Sequence, residues 1–351
     1  MDAVLDALMQ VGRFPFDPQR RIYWVFLLCS GFLALYYLWR QASAQQRSNW
    51  RWQRILSHNY WWHRSARIDY LMLPINAVIG ALLITPLLCS SLAMAVTLQP
   101  VIHGLLSQPI FGGTLTRVAL SPGAAIALFS VTAFLAEDLS RYWLHRLMHA
   151  NILLWQFHRV HHSAEVLNPL TLYRVHPIEM LLFRLREVLV CGCIGALFMS
   201  LYPGQIREWE VLGTGLFNVL FNVAGANLRH SPVQLRFGIF ERWFVSPAQH
   251  QLHHSILKQF QHCNYGSNLA LWDRWFGTWA CSKKDPINSI GLTRPMPQSL
   301  QAQYLEPIYA VLGSLRDVLK RSVPRVTAKS RSQIQHSTRQ LQHQSTRQSQ
   351  Q

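Results

Sequence analysis

Acidic residues are scarce in this chain: 16 of 351, against 33 lysines and arginines, for a net charge of +17. A metal centre assembled from glutamates and Glu-x-x-His pairs is thereby excluded, since no such pair occurs. The six cysteines (Cys29, Cys89, Cys191, Cys193, Cys263 and Cys281) are scattered without a Cys-x-x-Cys pair, which argues against a disulfide framework or a cysteine-rich zinc site. His-Glu-x-x-His, a zinc motif that carries its own base, is missing, as are Gly-x-Gly-x-x-Gly and a ferredoxin-type cysteine run. Met1–Arg20 has no n-region, h-region and cleavage site in succession, so no signal peptide is expected. Charged residues make up only 14% of the chain. A nucleic-acid binder gathers its basic residues on a soluble face; here they punctuate apolar runs, and no nucleic-acid partner is expected.

Half of the chain is hydrophobic, and the mean hydropathy is slightly positive, at +0.08. The apolar residues are bunched in long uncharged runs, which points to burial in a bilayer. Ile22 to Trp39 is the first, closed by Arg40. The segment Gln41 to Arg67 interleaves Arg47, Arg51, Arg54, Arg64 and Arg67 with Trp50, Trp52, Trp61 and Trp62, as an interfacial cytoplasmic stretch does. Tyr70 to His103 is long for one span and is divided by Pro86; Ala124 to Ala136 follows. Val188 to Tyr202 and Val211 to Ala226 flank Pro203-Gly204 and read as a helical hairpin. If the Arg-rich linker is cytoplasmic and Tyr70 to His103 crosses once, every histidine cluster and the basic C-terminus fall on the cytoplasmic side, which favours one crossing over two.

The expected fold is all-α: an integral membrane helical bundle carrying a histidine-rich, di-metal helical cap on its cytoplasmic face. The expected divisions are residues 1–21, an N-terminal segment; 22–123, the N-terminal membrane region and basic linker; 124–285, the catalytic domain; 286–325, a cytoplasmic segment; and 326–351, a Gln/Ser/Arg-rich tail expected to be disordered.

Histidine is the unusual residue, with 16 copies. His145-Arg-Leu-Met-His149 is an HxxxH pair, whose i, i+4 spacing puts both imidazoles on one helix face. His158-Arg-Val-His161-His162 and His250-Gln-Leu-His253-His254 both read HxxHH. The first and last histidines of each share a face, with the middle one beside them. Eight histidines so arranged far exceed what packing needs. Imidazole suits Fe, Zn, Cu and Ni alike. A zinc site is satisfied by about four ligands, so eight imply two metals. Asp138 lies two turns before His145, placed either to accept a ring N–H from a ligand or to pair with Arg141 or Arg146.

The stretches Asp138-Leu-Ser-Arg-Tyr-Trp-Leu-His145-Arg-Leu-Met-His149, Trp155-Gln-Phe-His158-Arg-Val-His161-His162-Ser163 and Ser246-Pro-Ala-Gln-His250-Gln-Leu-His253-His254-Ser255 resemble the histidine boxes of the sterol desaturase / fatty acid hydroxylase superfamily of membrane di-iron oxidases. The likeness continues through Asn264-Tyr-Gly266 and Trp272-Asp-Arg-Trp-Phe-Gly-Thr278, and covers Ala136 to Thr278. It implies metal-ligand roles for His145, His149, His158, His161, His162, His250, His253 and His254. His176, before Pro177, matches a further motif histidine. Where many relatives carry HxN this chain reads Gly225-Ala-Asn227, and the nearby His230 stands in as the tenth ligand. Asp138 is the candidate catalytic residue, and His262 is a weaker ligand candidate. His58, His63 and His103 are expected at the interface.

The resemblance implies two iron ions, O₂ as co-substrate, and hydroxylation or desaturation of a C–H bond in a membrane lipid such as a sterol or fatty acid. The lipid is expected to enter sideways from the bilayer, past a segment containing Gly213, Gly215 and Phe217, although simple helix packing explains those residues as well. Without an electron-transfer motif in the chain, electrons are expected from a separate carrier of ferredoxin, cytochrome b5 or reductase type. The competing readings are a zinc metalloenzyme and a metal transporter.

Overall fold

The computed structural model describes residues 2–42, 57–108, 120–205, 215–282, 287 and 289–322. Among these the chain is helical, with isolated bridges at Phe244–Leu269 and Ser255–Ile290 and no extended strand. The longer helices are α1 (Asp2–Arg13), α2 (Trp24–Ala42), α3 (Arg64–Ile79), α4 (Ser91–Leu106), α5 (Pro122–Ala150), α6 (Ile152–His162), α7 (Pro177–Leu201), α8 (Gly215–Val223), α9 (Pro247–His253), α10 (Leu271–Trp275) and α11 (Leu300–Ser322). The chain divides into two units, Met1–Ile308 and Tyr309–Gln351. The described part of the second is the C-terminal portion of α11, and the tail expected to be disordered lies outside the described residues.

Arg64–Leu106 and Pro122–Ala150 are long and apolar enough to cross a membrane, and only 17% and 28% of their most apolar windows are buried within the protein. A core helix of a soluble protein would hide such a window. Here Leu128, Val131 and Leu135 of α5 point outward, as do Leu28, Phe32, Leu35 and Trp39 of the shorter apolar helix α2. This outward apolar surface marks the protein as membrane-associated.

The long second stretch is interrupted, though not at Pro86 where the sequence suggested. Helical structure runs from Arg64 through a π-turn at Gly80–Ile84 to Leu87, so Pro86 sits within the final turn and does not divide the stretch. The break comes after it: Leu88 is extended, and the Ser90 side chain accepts the Ala93 N–H to start α4 afresh. Of the second arm of the expected hairpin, a nine-residue helix, α8, lies among the described residues. Of the Arg/Trp linker, only the part from Ser57 onward is described, and there Trp61 and Trp62 are exposed.

Helices α4, α5 and α7 pack together. The approach of α4 to α7 depends on Gly192, where a Cβ would lie 2.5 Å from Met94 Cγ. Between α5 and α7, Arg186 grips both Glu137 carboxylate oxygens at 3.0 Å, and Arg141 holds the same carboxylate at 2.6 Å. Another ion pair, Arg174–Asp69 at 2.6 Å, is fully buried. It gathers Asn168 and Thr171 onto Asp69 and Ser163 onto Arg174, which fixes the loop that follows α6 against α3.

The helix junctions position the histidines. Ser121 caps α5 and Pro122 opens it. Its 29 residues span about 43 Å, against a hydrocarbon core of about 30 Å. The last turns, which carry His145 and His149, therefore continue past the apolar part. Asn151 then stops α5 and caps α6 at once, its side chain accepting the Leu153 and Leu154 N–H groups. That one-residue elbow turns the second histidine cluster back toward the first.

Candidate metal centre

Nine histidines from four segments meet at this end of α5. Two come from the last turns of α5 and three from α6. His230 closes a 3-10 turn, Ala226–His230, and His250, His253 and the C-cap His254 come from α9. They form two groups. His145, His149, His158, His162 and His253 make a group of five; His161, His230, His250 and His254 make a group of four. Within each group the candidate ligand nitrogens all lie within 4.8 Å of one another.

The HxxHH spacing accounts for this division. On a helix, residues i and i+4 are about 40° apart around the axis, whereas i+3 lies about 60° to the other side of i. His158 and His162 accordingly serve the group of five while His161 joins the group of four. On α9 the roles reverse: His250 and His254 serve the group of four, and His253 crosses to the group of five.

The ring nitrogens show what these groups fit. His145 Nδ1 lies 2.8 Å from the Tyr265 carbonyl, and His253 Nδ1 lies 2.8 Å from the Cys263 carbonyl. A carbonyl only accepts, so both Nδ1 atoms carry the proton and both Nε2 atoms are bare. Those bare Nε2 atoms nevertheless face each other at 3.0 Å. His158 has its Nδ1 2.8 Å from a Glu179 carboxyl oxygen and its Nε2 3.2 Å from His162 Nε2. In the group of four, His250 Nε2 lies 3.0 Å from His230 Nε2 and 3.1 Å from His254 Nε2. Converging lone pairs repel unless an electrophile lies among them. A divalent cation among them would relieve that repulsion, and the donor set fits one ion per group.

All nine histidines fall within residues 130–278, which match the fatty acid hydroxylase family. This segment is a fatty acid hydroxylase domain. The relatives found include ornithine lipid hydroxylase OlsE of Rhizobium tropici, 28% identical over 177 residues that cover 50% of this chain and 49% of that protein. Alkylglycerol monooxygenase of Danio rerio is 30% identical over 168 residues, 47% of this chain and 33% of that protein. Lathosterol oxidase of Rattus norvegicus is 28% identical over 153 residues, 43% of this chain and 45% of that protein. The chain thus aligns with half or less of the length of these relatives. No solved structure matches it significantly.

The hydroxylase domain places Asp138 differently from either expectation. Its buried carboxylate accepts the backbone N–H groups of Asn268 and Leu269, each at 3.0 Å, and the indole N–H of Trp272 at 2.8 Å. It touches no metal-group histidine, and Arg141 pairs with Glu137 instead. The reason is the 264–278 loop, whose donors reach the carboxylate and fill it. Asp273 does the same from within that loop, accepting the Tyr265 and Gly266 N–H groups at 2.8 Å and the Thr278 hydroxyl at 2.7 Å. Gly266 is required there, since a Cβ would lie 2.6 Å from the Leu269 carbonyl and 2.7 Å from Asp273 Oδ2. The two aspartates clamp the loop so that the Tyr265 carbonyl meets His145.

His176 is not brought to either group. Its Nδ1 accepts the Ile178 N–H as the cap of α7, and its Nε2 donates to the Tyr304 carbonyl at 3.1 Å. His262 stands beside the group of five, its ring 6.4 Å from that of His149, with Nδ1 3.2 Å from the Tyr265 hydroxyl. His63 caps α3, while Phe217 stacks on Phe134 at 4.4 Å as part of the packing around Tyr142 and Trp272. Gly213 lies outside the described residues. Sequence reasoning missed Glu179 as the partner of His158, 21 residues away, and the two carbonyls that fix His145 and His253.

Burial holds the imidazoles neutral, the form a metal requires. It lowers His158 to about 3 and, with His158 close by, His161 to about 4. Burial and neighbouring histidines push His162, His230, His250, His253 and His254 well below the usual histidine range. Burial raises the Glu179 carboxyl to about 8 and the Asp273 carboxyl to about 6.

Proposed function

We propose that this protein is a membrane di-iron oxygenase that uses O₂ and externally supplied electrons to hydroxylate or desaturate a C–H bond of a lipid. The observation that carries the reading is the pair of converging imidazole groups, in one of which the bare Nε2 atoms of His145 and His253 face each other. The relatives named as a lipid hydroxylase, a monooxygenase and a sterol oxidase support it. Two iron ions, bound by His145, His149, His158, His162 and His253 and by His161, His230, His250 and His254, would supply O₂ activation. Hydroxylation consumes one O₂, two electrons and two protons per substrate C–H, and releases the alcohol and one water.

The protein's own residues do the rest. Carbonyls at Tyr265 and Cys263 fix two ring tautomers, Glu179 orients a third, and the Asp138 and Asp273 clamps hold the loop that supplies the Tyr265 carbonyl. The outward apolar faces of α2 and α5 support lateral arrival of a lipid. Basic loops favour a cytoplasmic metal site and an acidic electron carrier of ferredoxin, cytochrome b5 or reductase type.

A zinc enzyme needs about four ligands, fewer than the nine gathered here. A transporter would place its ligands at midplane within the spans, whereas these follow the apolar part of α5. Metal analysis of the purified chain tests the reading: about two irons per chain are expected, and a single zinc would sink it.

A further inference from the structure

Beside the five-histidine group lies a cleft of about 500 Å³, bounded in part by His149, His162 and His253. Its other walls include Trp155, Arg159, Gln261, His262, Thr293 and Arg294, and among the described residues no carboxylate lines it. Arg159 lies on α6 beside the ligand His158, and its Nε is buried without a hydrogen-bond partner. It forms no ion pair among the described residues. Arg294 contributes a second guanidinium, also without an ion pair. Two cations facing one cleft, with a donor left unsatisfied, describe half of an ion pair whose other half comes from outside the chain.

We propose that this cleft takes the anionic head group of the lipid substrate, a phosphate or carboxylate held by Arg159 and Arg294, so that the carbon oxidised lies within a few bonds of the head group. The inference rests on the oxidase reading above. Size supports it: at about 30 Å³ per water-sized group, the cleft holds on the order of 15 such groups. That suffices for a head group and the first chain carbons, while the open side of the cleft leaves the rest of a longer chain outside it. Position supports it too, because three of the five candidate ligands border the same space. The Trp155 ring stands 5.0 Å from that of His149 and 5.5 Å from that of His162, giving the first methylenes an apolar wall next to the metal group.

The test uses the full chain in neutral detergent, with its iron content measured, and hexyl phosphate as probe, with hexanol and inorganic phosphate as controls. Calorimetry is expected to show hexyl phosphate bound about tenfold or more tightly than either control, and about tenfold more weakly to Arg294→Ala. Arg159→Gln should weaken it similarly. Because Arg294 lies outside both metal groups, its variant should keep its iron, which guards against a folding failure. Equal binding of hexanol, or an unchanged Kd in Arg294→Ala, would overturn the proposal. Inorganic phosphate binding as well as hexyl phosphate would reduce the cleft to a simple anion site and also overturn it. So would an Arg294→Ala variant that binds hexyl phosphate normally but accepts electrons slowly from an acidic carrier, since the cleft would then be a docking surface. Two irons with no hexyl phosphate site would refute only this inference. Hexyl phosphate binding to a chain that takes up no iron would refute only the oxidase reading.

Discussion

Asp138→Asn separates a residue that does chemistry from one that holds the site together. The native carboxylate accepts three N–H groups, two of them on Oδ2 and one on Oδ1. An amide of the same shape offers one accepting oxygen and turns its NH₂ toward donors that have nowhere else to point. At least one buried hydrogen bond to a charged acceptor is lost, worth about 1.5–3 kcal/mol, and one buried donor is left facing another. The expected destabilisation is therefore about 3 kcal/mol. It should be felt first in the 264–278 loop, which positions the Tyr265 carbonyl against His145. Thermal unfolding in detergent should report the loss of stability, and iron analysis should show the group of five losing occupancy before the group of four. If Asp138→Asn keeps full stability and both irons but loses turnover, the carboxylate acts on the reaction itself and the clamp argument is wrong.

Three further outcomes follow from the same geometry. His161→Ala and His253→Ala should each lower iron by about one per chain, from different groups; equal loss of both ions from either variant would contradict separate assignments. Gly266→Ala drives a Cβ into the Leu269 carbonyl and the Asp273 carboxylate, and should cost about 2 kcal/mol of stability; an unchanged melting temperature would show that the loop relaxes freely. Chelated protein should lose stability on acidification, because folding depresses His158 to about 3 and His161 to about 4. Stability contributed by the neutral rings is complete above the unfolded value near 6.5 and falls as pH drops toward 4, by on the order of 1 kcal/mol per histidine per pH unit. Melting temperatures that stay flat or rise between pH 6.5 and 4.5 would count against the buried neutral state.

The parts of this protein that were legible in its sequence are those written in local spacing. HxxxH and HxxHH are periodic within one or two helical turns, so the shared faces of α5, α6 and α9 could be read directly. His230 came from an imperfect motif and does join the group of four. Contacts between distant segments left no such trace. Nothing near Asp138 announces that its partners are Asn268, Leu269 and Trp272, more than 125 residues on. The same holds for Glu179, whose carboxylate reaches His158 only because the loop after α6 is folded back by Asp69 and Arg174. His176 misled for the opposite reason. A histidine before a proline at a helix start satisfies a motif and a cap equally well, and only the Tyr304 carbonyl on its Nε2 reveals which role it fills. Pro86 misled similarly: it sits in the last turn of a helix that Leu88 ends.

The exchange of the middle histidine between groups has a consequence for assembly. Were each helix to serve one group, a rotation of that helix would disturb one set of ligands alone. Here α6 gives two ligands to the group of five and one to the group of four, and α9 gives two to the group of four and one to the group of five. A rotation of either helix about its axis moves both sets of ligands at once, because His161 and His162, or His253 and His254, are fixed about 100° apart on one backbone. Outer contacts restrict such rotation on each helix. Glu179 and Gln303 hold α6 through His158 and Ser163, while the Ser246–Gln249 capping box and Cys263 carbonyl hold α9. The spacing that makes HxxHH conspicuous in the sequence is thus what couples the two histidine groups mechanically.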